Sequence, residues 1–266
     1  MTTKRRHLKE LARDPRFIPG IHNYCDRWCE RCPLTSRCLV FAVEQQDDAE
    51  EPASRDIRNQ AFWKRLQSHL AEATEILQDL MEEHGLALDP EEMEPEQDRT
   101  RDRTDAAEHD PRAAAASAYA DAVDEWFETA DARFEERGTA LEGQLELGLA
   151  TVDAEGDVRR LQDAVEVIRW YQHQIAVKLM RAIGSASQDE ELDSGDASGS
   201  AKVALIGMDR SITAWGELLR QFPDEEDRLL SLLHDLSCLR REVERTFPGA
   251  RAFVRPGFDT GESPDG

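Results

Sequence analysis

The sequence predicts an all-α protein: a bundle of about five long amphipathic helices with an N-terminal four-cysteine metal-binding loop. Three observations carry that prediction. Apolar residues recur in steps of three and four along several stretches of twenty or more residues, as one buried face of a helix requires. No run of strand-like alternation bounded by turn residues interrupts them. Four of the five cysteines fall in one short stretch, Cys25 to Cys38. The apolar fraction, 39%, is thin for a fully compact chain, so linkers are expected between the helices.

Residues 1–43 form the first expected unit. They carry nine Lys/Arg against four Asp/Glu, a surplus of +5, whereas the remainder of the chain sums to −28. Residues 5–12 suit a short helix, after which Asp14-Pro15 and Pro19-Gly20 force an irregular path into the cysteines. Their spacing is Cys25-x3-Cys29-x2-Cys32-x5-Cys38. Thiols this close in sequence can converge on one centre without help from distant chain. Disulfides between neighbours would close very short, strained loops. The charged start MTTKRRHLKE is followed by no apolar run of a secretory signal, so a cytoplasmic location is expected, where clustered cysteines serve as metal ligands. Thiolates suit both zinc and iron–sulfur clusters. For zinc, only Cys29 and Cys32 form a C-x2-C knuckle, and His22 is a substitute ligand.

The run C-E-R-C-P-L-T-S-R-C, from Cys29 to Cys38, resembles the cluster loop of the helix-hairpin-helix DNA glycosylases, the endonuclease III and adenine glycosylase family. That family's ligands follow C-x6-C-x2-C-x5-C, often with Pro-Leu after the third cysteine. The resemblance implies that Cys29, Cys32 and Cys38 ligate a 4Fe-4S cluster, with Cys25 as the fourth ligand. It covers about fourteen residues. The first spacing is x3 here, and no Gly-rich hairpin or catalytic Lys/Asp pairing accompanies the loop, so only cluster chemistry carries over, not glycosylase activity. Cys25-x3-Cys29-x2-Cys32 also has the spacing of the radical SAM motif. Cys38 can fill the coordination site which that motif leaves open, and the strands of a barrel are missing.

Residues 44–55 read as a solvated linker, and the acidic bundle is expected over 56–247. A first helix from Asp56 to His84, capped by Gly85, carries the seam Trp63, Leu66, Leu70, Ala73, Leu77 and Leu80. Its acidic stripe, Glu72, Glu75, Asp79 and Glu82, reads as a solvated face. Residues 86–109 lack large apolar groups and read as a disordered linker. Asp110-Pro111 opens a second helix expected to end at Gly138, burying Tyr119, Val123, Trp126, Phe127, Ala130 and Phe134. The glycines at 138, 143, 148 and 156 mark a loop. A third helix over 157–183 is apolar on most sides and should be central. A second disordered linker is expected near 184–200, GSASQDEELDSGDASGS. The fourth helix carries Leu205, Met208, Ile212, Trp215 and Leu219. Phe222-Pro223 breaks it, and the fifth, about 225–247, buries Leu229, Leu232, Leu236, Leu239 and Val243, with Cys238 a buried thiol beside them. Residues 248–266 form a tail laying Phe253 and Phe258 on the bundle.

Function follows from few residues. Glu166 and His173 share a stripe of the third helix, and are the candidates for a buried acid/base pair in a bundle enzyme. No histidine has Asp or Glu three residues before it, which removes the Glu-x-x-His signature of di-iron bundles. No P-loop or G-x-S-x-G elbow is present. The acidic body repels nucleic acid, while the basic head can engage a phosphate or use Arg27, Arg31 and Arg37 to neutralise a thiolate centre. No apolar run reaches membrane-spanning length. The sequence therefore favours a 4Fe-4S protein in a redox, sensing or electron-transfer role, with zinc-stabilised interaction module as the alternative and protein partners expected.

Overall fold

The computed structural model describes residues 10–11, 13–50, 60–85, 101–147, 153–186 and 194–259. Among them every regular element is helical: α1 (Leu39–Glu50), α2 (Gln60–His84), α3 (Pro111–Glu128), α4 (Asp131–Glu146), α5 (Ala154–Ala186), α6 (Ser194–Gln221) and α7 (Glu226–Thr246), with short 3-10 turns between some of them. The chain divides into two compact units: one is Thr100–Val254, and the other comprises Met1–Arg99 together with Arg255–Gly266.

The Thr100–Val254 unit is a bundle of α3 to α7, built on the long antiparallel pair α5 and α6. The 33 residues of α5 span about 50 Å. Its buried face, Ile168, Tyr171, Ile175 and Leu179, belongs to the helix that packs on α6, where Leu205, Met208 and Trp215 are buried. The two helices approach closely because small residues line the contact. A Cβ at Gly207 would lie 2.9 Å from the Tyr171 ring. Ala197, Ser200, Ala201 and Ala204 are all buried. This explains why part of the expected linker 184–200 is helix: α5 continues to Ala186 and α6 begins at Ser194. Asp196 there accepts from Arg181 at 2.5 Å and Ser185 at 2.8 Å. Residues 187–193 lie outside the described residues.

The second expected helix is two. Thr129 closes α3, its Oγ1 donating to the Trp126 carbonyl at 3.0 Å, and α4 starts at Asp131. The corner lets Phe127 and Phe134 stack at 6.2 Å and lets Trp126 meet Trp215 in a T-shaped contact at 5.3 Å. α4 then runs through Gly138 and Gly143, where a loop was expected, because Leu141 is buried between them and Arg137 reaches Gln221 at 2.7 Å. Helical glycine costs up to about 1 kcal/mol, which such contacts offset. The Asp153 carboxylate caps α5, accepting from Gly156 N at 3.0 Å, so this glycine lies inside the helix.

Asp157 ties three helices together. It is buried, and it accepts from Arg160 at 2.6 Å, Arg220 at 3.0 Å and Gln221 at 3.0 Å, with Arg137 at 3.8 Å. Arg160 first, then Arg220 and Gln221, hold its carboxyl down to about 2, against an ordinary 3.8. A depressed folded-state value adds stability above the unfolded pKa, and this is lost as acid protonates the group. The contribution of Asp157 should therefore disappear between about pH 4 and pH 2. Asp157→Asn should lower stability at pH 7 by about 1–2 kcal/mol, since its arginine partners are partly solvated. Denaturant titration across that window checks it, with the variant giving the flatter profile.

In the other unit, residues 44–50, expected as linker, complete α1. Residues 51–59, and with them the start of the first expected long helix, lie outside the described residues. So do 86–100 of the first expected disordered linker, whereas 101–108 are helical. α2 follows the expected course to His84, but its seam is not a bundle core. Trp63, Leu70 and Leu77 are 54%, 61% and 54% exposed, and Leu66, Ala73 and Leu80 are exposed as well. No other described element of its unit packs extensively against it. The five-helix bundle thus consists of α3 to α7 and not of the five stretches read from the sequence.

Candidate metal centre

Proline and glycine at 19 and 20 prevent a continuous helix, and Gly20 takes φ 70°. The chain instead makes three 3-10 turns, Ile21–Tyr24, Cys29–Arg31 and Thr35–Arg37. Each ends on a cysteine in extended conformation: Cys25, Cys32 and Cys38. Cys32 N donates to Cys29 O and Cys38 N to Thr35 O, both at 3.2 Å. A short repeat underlies this, Cys29-Glu-Arg-Cys32 and Thr35-Ser-Arg-Cys38, a signal that cysteine spacing alone does not convey. Ile18 N bonds Arg37 O at 3.0 Å and closes the lobe at its neck.

Between Cys25 and Cys29 the chain turns at Arg27, the one non-glycine residue with positive φ among those described, at 56°. That conformation costs roughly 1–2 kcal/mol. Its guanidinium reaches Glu44 of α1 at 2.7 Å and lies in the field of the Cys25 and Cys29 thiols. Trp28 is buried, with Arg31 stacked 4.1 Å over its ring.

All four loop cysteines line one pocket, together with His22, Trp28, Phe41 and Phe258. Each cysteine is half-buried. Burial pushes the Cys29 and Cys32 thiols up, and for Cys32 a hydrogen bond from the Leu34 N–H opposes the shift. The Cys25 thiol donates to His22 O at 3.4 Å. The void is small, about 20 Å³, the room of a water-sized sphere. Among the described residues no three Cys, His, Asp or Glu side chains converge as a ready ligand set. The four thiols thus line one pocket without forming a ready ligand set, and any group larger than one ion must draw them outward.

Phe258 escaped the sequence reading, which laid it on the bundle. The segment Arg255–Asp259 belongs to the cysteine unit. Arg255 N and its guanidinium both engage Asp259, at 2.9 Å and 3.1 Å, and fold the turn. Gly257, at φ 77°, presses on the lobe, and a Cβ there would sit 2.8 Å from Ile18 Cδ1. Gly257→Ala should destabilise the lobe by about 1 kcal/mol or more. Faster limited proteolysis within residues 13–38 is the readout.

The other candidates are not brought into a site. His173 has a side chain 67% exposed and Glu166 is exposed, so neither is the buried acid/base pair expected. The physical reason is the orientation of α5: Gln172 takes the buried position and donates to Asp124 of α3 at 3.0 Å, which turns His173 outward. Cys238 is half-buried, not buried, with Arg241 donating to its sulfur at 3.2 Å and His234 Nε2 within hydrogen-bond distance of it at 3.5 Å. It lines an open groove of about 1150 Å³ between α3 and α7. No helix among the described residues is long and apolar enough to cross a membrane. Comparison with protein-family models, with curated proteins and with solved structures finds no match.

Proposed function

We propose that this chain is an iron–sulfur protein in which Cys25, Cys29, Cys32 and Cys38 hold a 4Fe-4S cluster serving electron transfer, sensing or another redox role. The observation that carries this reading is the pocket onto which all four loop cysteines open beneath Trp28, Phe41 and Phe258. A four-iron cluster takes one thiolate at each of four separate irons. A single zinc ion needs its donors gathered at about 2.3 Å around one point, whereas a cluster accepts sulfurs that stand further apart. The likeness of Cys29 to Cys38 to the glycosylase cluster loop agrees with the same reading.

When bound, the cluster supplies one-electron chemistry. The chain's part is to hold and shield it. Trp28, Phe41 and Phe258 exclude water from one side. Arg27 places a positive charge beside Cys29, and the Leu34 N–H supports the Cys32 thiolate. Both favour the charged sulfur that a metal requires. The proposal places the protein in the cytoplasm with protein partners for its electrons or signal.

A zinc-stabilised interaction module is the second reading, favoured by the small void and by His22 on its wall. Anaerobic purification followed by visible absorption and by iron, sulfide and zinc analysis of one sample separates the two. A brown protein with iron and acid-labile sulfide in equal amounts supports the cluster. A colourless protein with one zinc per chain overturns it.

A further inference from the structure

The exposed face of α2 has the pattern of a coiled-coil seam. Trp63, Leu66, Leu70, Ala73, Leu77 and Leu80 alternate steps of three and four, the a and d positions of consecutive heptads. Five of these six are large apolar side chains at least 40% exposed. Isolated apolar side chains on a surface are ordinary, but a continuous row along one helix marks a binding face.

The flanking positions and the charges say what binds. The e and g positions are Phe62, Gln67, His69, Thr74, Ile76, Met81 and Glu83, with a single formal charge among them. A seam meant for a charged foreign helix would carry its selecting charges there. The charges of α2 are instead segregated along its length. From Gln60 to Ala71 it has Lys64 and Arg65 and no acid, and from Glu72 to His84 it has five acids and no Lys or Arg. A helix basic at one end and acidic at the other is complementary to itself when reversed.

We propose that α2 is a self-association surface, pairing antiparallel with α2 of a second copy of this chain. An antiparallel pair sets a positions of one helix against d positions of the other. Centred on the seam, that register puts Trp63 against Leu80 of the partner subunit, Leu66 against Leu77 of the partner subunit, and Leu70 against Ala73 of the partner subunit, each met again by symmetry. The large Leu70 faces the small Ala73, so the middle layers fill without crowding. The basic end then lies beside the acidic end twice. Parallel pairing would put like charges together at both ends. The contact is isologous and closes as a twofold dimer.

Sedimentation velocity of the full chain over a range of concentrations tests this, independently of metal content. The wild type should associate to a dimer as concentration rises, and Leu70→Glu/Leu77→Glu should remain monomeric throughout. Lys64→Glu/Arg65→Glu leaves the apolar seam whole and reads orientation. It should weaken the dimer roughly tenfold at low salt and less at high salt, since it turns opposite-charge ends into like-charge ends. Far-UV circular dichroism of each variant checks that helix content is kept. A wild type monomeric at every concentration, or a dimer that survives Leu70→Glu/Leu77→Glu, overturns the proposal. A dimer undiminished by Lys64→Glu/Arg65→Glu overturns the antiparallel arrangement.

Discussion

Replacing Cys38 with serine is expected to strip most of the bound metal from the protein and leave its helical bundle folded. Cys38 is the exit of the third 3-10 turn, and its carbonyl accepts from Ala42 N at 3.1 Å as α1 begins. A serine fits that backbone without strain, so the loss should come from the sulfur and not from the chain. Cluster and zinc sites alike need the thiolate, which a hydroxyl does not replace at neutral pH. All four proposed ligands lie in the unit that excludes Thr100–Val254, so the helix signal of the bundle should persist. Metal and sulfide analysis beside far-UV circular dichroism reads both effects. Cys238→Ser is the companion variant. Its sulfur lies on α7 with Arg241 and His234, so metal content should not change. Unchanged metal in Cys38→Ser would exclude the four-cysteine site.

The largest effect on stability is expected from Trp215→Ala. Trp215 is fully buried on α6, its indole N–H donates to the Tyr119 hydroxyl at 2.8 Å, and it makes a T-shaped contact with Trp126. Burial pushes the Tyr119 hydroxyl up to about 12, so it stays neutral and keeps its place in the core across the ordinary pH range. Truncating a buried tryptophan costs about 3–5 kcal/mol. For a domain of this size each kcal/mol moves the melting midpoint by about 2–4 °C, so a fall of roughly 10 °C is expected. Trp63→Ala is the contrast, because Trp63 is 54% exposed. In dilute protein its effect should stay within about 0.5 kcal/mol. Equal losses from the two substitutions would contradict the packing described for the bundle.

The two tryptophans also mark the limit of periodicity as a guide. Both sit on stripes spaced by three and four, yet one is core and the other surface. The pattern says that a helix has an apolar face; it does not say whether that face is met within the chain. The same limit applies in reverse to Gly138, Gly143 and the SGDASGS run. By local propensity they are breakers, yet they are helical because Leu141, Ala197 and Ala201 find burial that only the folded bundle provides.

Of the candidate site, the four cysteines could be read in advance because ligands close in sequence need no tertiary help to meet. Arg27–Glu44, seventeen residues apart, and Phe258, more than two hundred residues beyond the loop, could not, because their contacts depend on where the chain returns. Helical class, the basic head set against an acidic remainder of the chain, and the cysteine loop are local properties, set by residue type and spacing. Which helices share a core, that Gln172 rather than His173 faces inward, and that the C-terminal segment covers the cysteines were decided by tertiary structure. Those choices depend on close packing between segments distant in sequence, a contribution that no local pattern contains.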